Sequence, residues 1–273
     1  MRIDKYHGLG NDYLVVSTDV TPEAVRALCD RHRGVGADGV LQVRPVPEGV
    51  DADVWVTIWN PDGSTAEKSG NGLRILARWL VDSGRLPATG QRLWTGQCLA
   101  TADVFADRVV VDMGRATFEP ADIPLDSEGG WLEHALKLAG QEVRVSALSV
   151  GNPHAVIFVD RPLEEVPWRD WGAELECHPR FSRRTNVQVA RVIGTAEVDI
   201  RIWERGAGPT LASGSSSCAV VAAAVRTGRL KPGRITVRMP GGVLVVHCSP
   251  NLDLRLEGPV ALCWRGEVEV AAV

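Results

Sequence analysis

One short object occurs twice in this chain of 273 residues. The first copy is Glu67-Lys68-Ser69-Gly70-Asn71-Gly72-Leu73-Arg74. The second closes the run Glu204-Arg205-Gly206-Ala207-Gly208-Pro209-Thr210-Leu211-Ala212-Ser213-Gly214-Ser215. In each, a serine followed by glycine leads into an apolar, alanine-containing stretch. Serine is a favoured helix N-cap, and that bland explanation suffices for either copy taken singly. The two serines lie 144 residues apart (213 minus 69), about half the chain. That spacing points to two similar halves, each placing a polar side chain at the mouth of a helix.

Local signals fill in the halves. Thr21-Pro22-Glu23 reads as an N-cap, a first-turn proline and an early acid. They predict a helix to about Arg33, with Val25, Leu28 and Cys29 on one face. Residues 52–60 alternate, with Val54, Val56 and Ile58 against Trp55, Thr57 and Trp59, which predicts a strand. Asn60-Pro61-Asp62-Gly63-Ser64 predicts a turn. A helix follows Gly72 and ends near Ser83-Gly84, and short strands continue to about Met113. The second half repeats the order. Strands are expected over 142–149, 155–159, 187–192 and 198–203, and helices over 164–175 and from about Ser216 to Thr227, closed by Gly228. Short strands and few helices, without regular βαβ alternation, predict an α+β fold. Gly114–Pro124 lacks periodicity, so the boundary is placed there, giving halves 1–114 and 115–260.

Composition mainly excludes. A net charge of −4 gives no reason to expect nucleic acid or an anionic membrane as partner. The six cysteines are scattered without a CxxC pair, so neither a metal site nor a disulfide framework is indicated. Reduced thiols in a cytoplasmic protein are expected. The start, Met1 to His7, is not a signal peptide, and no apolar run approaches the roughly 20 residues of a membrane helix. Gly206-Ala207-Gly208 lacks the context of a dinucleotide fingerprint, and no cofactor is expected.

A helix N-terminus presents free N–H groups and partial positive charge, and it binds carboxylates. Gly70, Gly72 and Gly214 let a ligand approach the backbone. Two such termini on one carboxylate would acidify the neighbouring C–H by stabilising the developing charge. A cysteine at such a mouth becomes a thiolate in the working range. A serine fits the geometry but is no useful base unless a neighbour takes its proton. Asn11, Asn60, Asn152 and Asn186 fall at turns, where asparagine is usually structural. Together with Arg205 they could instead surround a zwitterionic amino acid. His154 alone is more often a satisfied, half-buried histidine than a catalyst. Glu204 follows a strand and precedes a glycine loop, which suits a functional carboxylate.

These segments together resemble the diaminopimelate epimerase family. The likeness runs from His7-Gly8-Leu9-Gly10-Asn11-Asp12 through Asn60–Ser64, Gly70-Asn71-Gly72 and Gly151-Asn152-Pro153-His154 to Asn186 and Glu204–Gly208, in order and over nearly the whole chain. The resemblance implies two pseudo-symmetric domains, each a β-barrel-like sheet around a central helix, with the active site in the cleft between them and the last strand (about 261–273) joining the first domain. It also implies racemisation of an amino-acid substrate by two opposed cysteines, without pyridoxal or metal, and a homodimer. By position, Ser69 and Ser213 stand where the family has its catalytic cysteines. Gly70, Asn71, Gly214 and Ser215 would hold the reacting carboxylate. Asn60, Asn152, Asn186 and Arg205 match residues that grip the distal amino-acid centre, and Asn11, Glu204 and His154 line the reacting centre. Cys218 matches a second, non-catalytic cysteine. Pro209 and Ser216 also depart from the family pattern, which favours a divergent subgroup over a deliberate Cys→Ser exchange.

Three readings follow. The first is an epimerase of diaminopimelate or a similar amino acid, its serines activated by Glu204 or His154. The second is a binding protein that keeps the pocket without the chemistry. The third is a related isomerase with one-sided proton transfer.

Overall fold

The computed structural model describes residues 1–269; the last four residues of the strand expected over 261–273 lie outside them. The chain forms two compact units, Met1–Asp112 with the segment from Gly258 onward, and Met113–Glu257.

In the first unit the strands run in the order Ala261–Glu267, Arg2–Gly8, Asn11–Val16, Val40–Arg44, Val54–Trp59, Gln91–Trp94, Leu99–Val104, Val109–Arg115. Neighbours are antiparallel except at two steps, Asn11–Val16 onto Val40–Arg44 and Val54–Trp59 onto Gln91–Trp94. A parallel step needs a crossover. Helices α1 (Pro22–Cys29) and α2 (Gly70–Asp82) supply them.

The second unit runs His134–Leu138, Gln141–Ser149, Pro153–Phe158, Asn186–Gly194, Glu197–Glu204, Gly233–Met239, Gly242–Cys248, Asp253–Gly258. Its parallel steps occupy the same places in the order, bridged by α3 (Trp168–Glu176) and α4 (Gly214–Arg226). A short strand pairs just before the second helix of each unit, Thr65–Ala66 in one and Gly208–Thr210 in the other.

The helices divide by burial. α1 is amphipathic, and Val25, Leu28 and Cys29 pack on Ile3, Leu14, Val16 and Val40. α4 is apolar all round, with Ser216 through Ala224 buried, as a central helix must be. α2 is buried continuously from Gly70 to Ala77. The strand Val40–Arg44 serves both helices of its unit. Val40 lies under α1, while Leu41 reaches within 3.1 Å of where a Cβ on Gly72 would stand. Successive strand residues face opposite sides, so a strand between two helices is apolar on both.

α2 and α4 also end alike. Ser83 Oγ donates to Trp79 O at 2.7 Å, and Thr227 Oγ1 donates to Ala223 O at 2.8 Å. The next residues, Gly84 and Gly228, take φ of 68° and 73°, the left-handed conformation that closes a helix.

Several elements differ from the sequence expectation. α1 stops at Cys29, not Arg33, because the Asp30 carboxylate accepts the N–H groups of His32 and Arg33 at 2.8 and 2.9 Å. Such local side-chain bonds compete with the helix ladder. The helix expected over 164–175 is two pieces, a 3₁₀ turn at Leu163–Glu165 and α3 from Trp168. Val166, preceding Pro167, is extended at φ −110°, ψ 145°, as a residue before proline prefers. α4 begins at Gly214, two residues earlier than expected. No helix among the described residues is long and apolar enough to cross a membrane.

Candidate active site

The two serines make matching caps. Ser69 is extended (φ −136°, ψ 112°); its Oγ accepts Gly72 N–H at 3.0 Å and its carbonyl accepts Leu73 N–H at 2.9 Å. Ser213 is also extended (φ −150°, ψ 127°); its Oγ accepts Ser216 N–H at 3.4 Å and its carbonyl accepts Ser217 N–H at 3.1 Å. In each helix the N–H groups of the first two residues have no acceptor within the helix: Gly70 and Asn71, Gly214 and Ser215. Each mouth can therefore hold an anionic group on two N–H donors and the helix dipole.

A polar chain lies beside Ser69. Asn71 Nδ2 donates to Asn11 Oδ1 at 2.7 Å and to Asn11 O at 2.9 Å. Asn11 Nδ2 in turn donates to Asp38 at 2.9 Å, and the buried Arg74 donates to Asn71 Oδ1 at 2.7 Å. The strand that carries Asn11 brings Tyr13, two residues on and so on the same face, to 3.2 Å from Ser69 Oγ. Asp12 points the other way, to Lys5 and Arg31. Burial alone would raise its carboxyl, but the bonds from Arg31 and Lys5 outweigh that and lower its pKa to about 2. The Asn60 amide donates to Ser64 Oγ at 3.0 Å across its turn.

In the second unit the loops are latched together. Asn186 Nδ2 donates to Pro153 O at 2.9 Å, and its Oδ1 accepts Arg205 N–H at 3.0 Å. Each end of this amide thus keeps one further hydrogen-bonding position. His154 Nε2 is 2.9 Å from Asn152 Oδ1. His154 is fully buried, not half-buried, and burial lowers its pKa to about 3. An imidazole of that basicity stays neutral near pH 7, so it does not supply the proton acceptor that sequence reasoning sought in it. Its contact engages Asn152 Oδ1, so the Nδ2 end of that amide is not used by this bond. Glu204 is half-buried at the end of its strand. Arg205 is exposed, with its guanidinium on Arg183 O. Ser213 Oγ meets Ser215 Oγ at 3.5 Å.

The sequence pattern of the diaminopimelate epimerase family fits residues 3–119 and 146–261. The diaminopimelate epimerase of Pelotomaculum thermopropionicum is 39% identical over 280 residues, covering 98% of both chains. This chain belongs to the diaminopimelate epimerase family. The diaminopimelate epimerase of Halorhodospira halophila is 40% identical over 282 residues, covering 100% of this chain and 96% of its own. Among solved structures, a hydroxyproline epimerase from Agrobacterium vitis superposes with a TM-score of 0.71 at 17% identity, over 98% of this chain and 90% of its own. A phenazine biosynthesis protein of the PhzF family from Bacillus anthracis gives 0.67 at 15%, over 98% and 99%. At such identities the likeness is one of fold.

Sequence reasoning missed four residues around the two serine caps of this diaminopimelate epimerase relative. Tyr13 touches Ser69, while Asp38 and Arg74 hold the Asn11–Asn71 pair from either end. Glu176, buried, accepts Gly206 N–H at 2.8 Å and Trp203 Nε1–H at 2.7 Å and pairs with Arg184, which anchors the Glu204–Gly208 loop. Burial would raise the Glu176 carboxyl, but these bonds hold it below the usual range. Among these, only Tyr13 carried a legible signal, its two-residue spacing from Asn11. Among the described residues no cluster of three or more His, Cys, Asp or Glu side chains comes together as metal ligands would.

Proposed function

We propose that this protein epimerises LL-diaminopimelate to the meso form by proton transfer at Cα, without a cofactor. One observation carries the reading, alongside the family membership. Both helix mouths repeat the same cap, a serine hydroxyl on the third helical N–H with two N–H donors left beside it. Donors so placed stabilise the charge that develops on a carboxylate as its α-proton leaves.

In this scheme the N–H groups of Gly70, Asn71, Gly214 and Ser215 hold the reacting carboxylate. Ser69 and Ser213 carry the proton to and from Cα. Asn11 and Glu204 line the reacting centre. Asn60, Asn152, Asn186 and Arg205 bind the distal amino-acid group, with His154 acting through Asn152. We propose a cytoplasmic setting, in keeping with six cysteines none of which is in a disulfide, and a homodimer as the working state.

The test is direct. The protein, made in a host lacking its own epimerase, is incubated with LL-diaminopimelate and the stereoisomers are separated by chiral chromatography. Meso product in proportion to protein is the expected result. Tight binding of LL-diaminopimelate without any meso product would replace this reading with a pocket that has lost its chemistry.

A further inference from the structure

The two serines match as caps and differ in their neighbours. Ser69 Oγ lies 3.2 Å from the Tyr13 hydroxyl. Among the described residues the hydrogen-bond partners of Ser213 Oγ are Ser215 Oγ and Ser216 N–H, and no ionisable side chain hydrogen-bonds to it. A hydroxyl has one proton and two lone pairs. At Ser69 one lone pair accepts Gly72 N–H, and the proton is free to lie toward Tyr13. The second lone pair is then left for a proton arriving from a ligand at the helix mouth.

The phenol is held there by its surroundings. Tyr13 is buried, and its ring lies where Gly39 leaves room. A Cβ on Gly39 would stand 2.6 Å from Tyr13 Cε1 and 2.5 Å from Trp59 O, so no larger residue fits without moving the ring. Meanwhile Asn11, on the same strand face, is tied to Asn71 in the first turn of α2. Strand and helix mouth are thus fixed to each other at two points, and the Tyr13–Ser69 contact is one of them.

We propose that Tyr13 is the positioning residue that activates Ser69, taking the serine proton while Ser69 takes the substrate's. This rests on the epimerase reading above. An aliphatic hydroxyl needs a neighbour to take its proton. A phenol is a far stronger acid than an aliphatic hydroxyl, so of the two oxygens that of Tyr13 is the one able to carry the negative charge. The Cα–H bond breaks, its electron pair stays on the α-carbon, and the proton goes to Ser69 Oγ. The proton that Ser69 held passes to the Tyr13 phenolate. Ser213 gives its hydroxyl proton to the carbon and recovers one from water, and Tyr13 returns its proton to solvent, so the cycle closes. The two ends of the reaction are therefore unequal: one is a phenol–serine relay, and the other is a serine among serines.

The experiment compares four proteins: the parent, Tyr13→Phe, Ser69→Cys, and the two changes combined. Each is assayed for meso-diaminopimelate formation from pH 6 to 10. Phe keeps the buried ring and removes only the hydroxyl. In the serine parent, Tyr13→Phe is expected to lower kcat about 100-fold or more with little change in KM, and to remove the rise of activity with pH. In the Ser69→Cys background, whose thiol ionises unaided, it is expected to change kcat by no more than a few-fold. Equal losses in both backgrounds, or none in the parent, would overturn the relay while leaving the epimerase reading intact. A parent with no turnover would remove both.

Discussion

In the proposed reaction, Ser69 and Ser213 set the chemistry at the smallest scale. A thiol at a helix mouth becomes a thiolate in the working range, and a hydroxyl does not. Replacing both serines by cysteine should therefore raise kcat for meso-diaminopimelate at least tenfold while leaving the N-cap bonds in place. Unchanged turnover in the double variant would separate these serines from the chemistry. His154 gives a second prediction, in stability. Its folded pKa of about 3 lies below the ordinary value near 6.5, so the fold requires it neutral. Its contribution is complete above pH 6.5 and is lost as pH falls toward 3, because only the unfolded chain takes up the proton. The slope is about 1.4 kcal/mol per pH unit. Between pH 6.5 and 5 the parent should lose about 2 kcal/mol relative to His154→Gln, read from urea unfolding at each pH. Parallel curves would show that His154 is not buried neutral. At this scale the sequence made legible those residues that sit in motifs: the serines, the glycines after them and the turn asparagines. Tyr13 and Glu176 escaped because each acts through a partner far off in sequence, Ser69 at 56 residues and Gly206 at 30. Arg74, three residues from its partner Asn71, reads in the sequence as an ordinary helix cation because its burial is not legible there.

At the scale of elements, α2 and α4 were readable because capping, apolar content and closing glycine agree in each. The strands Arg2–Gly8, Asn11–Val16 and Val40–Arg44 were not legible in the sequence, and for the last the reason is physical. It is buried on four successive residues, so it has no alternation to detect. The break before α3 lay in plain view as Pro167, but the apolar run across it masked the stop. α3 also carries a packing constraint. A Cβ on Gly172 would fall 2.7 Å from Trp203 Cβ and 2.8 Å from Cγ, neither of which can swing aside. Trp203 is held in turn by Glu176, at the end of the same helix. Gly172→Ala gains up to about 1 kcal/mol in helix propensity, but overpacking costs about 1–3 kcal/mol. A lower urea midpoint is expected, together with weaker substrate binding, because Glu176 also anchors the Gly206 loop. A midpoint equal to or above the parent's would mean that α3 does not press on that strand.

Across the whole molecule the two units share one plan: the same strand order, parallel steps at the same places, a short strand before the second helix, and one serine-capped helix each. The sequence displays this repeat mainly at the serine motifs, because strands tolerate many apolar residues whereas a cap, a close approach and a left-handed turn admit few. A serine-capped helix mouth repeated in each unit suits the proposed reaction, which removes a proton on one side of a carbon and returns one on the other. The most direct measurement is to run LL-diaminopimelate with the protein in D2O and to determine deuterium, early in the reaction, in both the recovered substrate and the meso product. The account predicts one deuterium at the inverted carbon of the product and almost none in the remaining substrate. Deuterium accumulating in the LL isomer without meso product, or in neither compound, would contradict it.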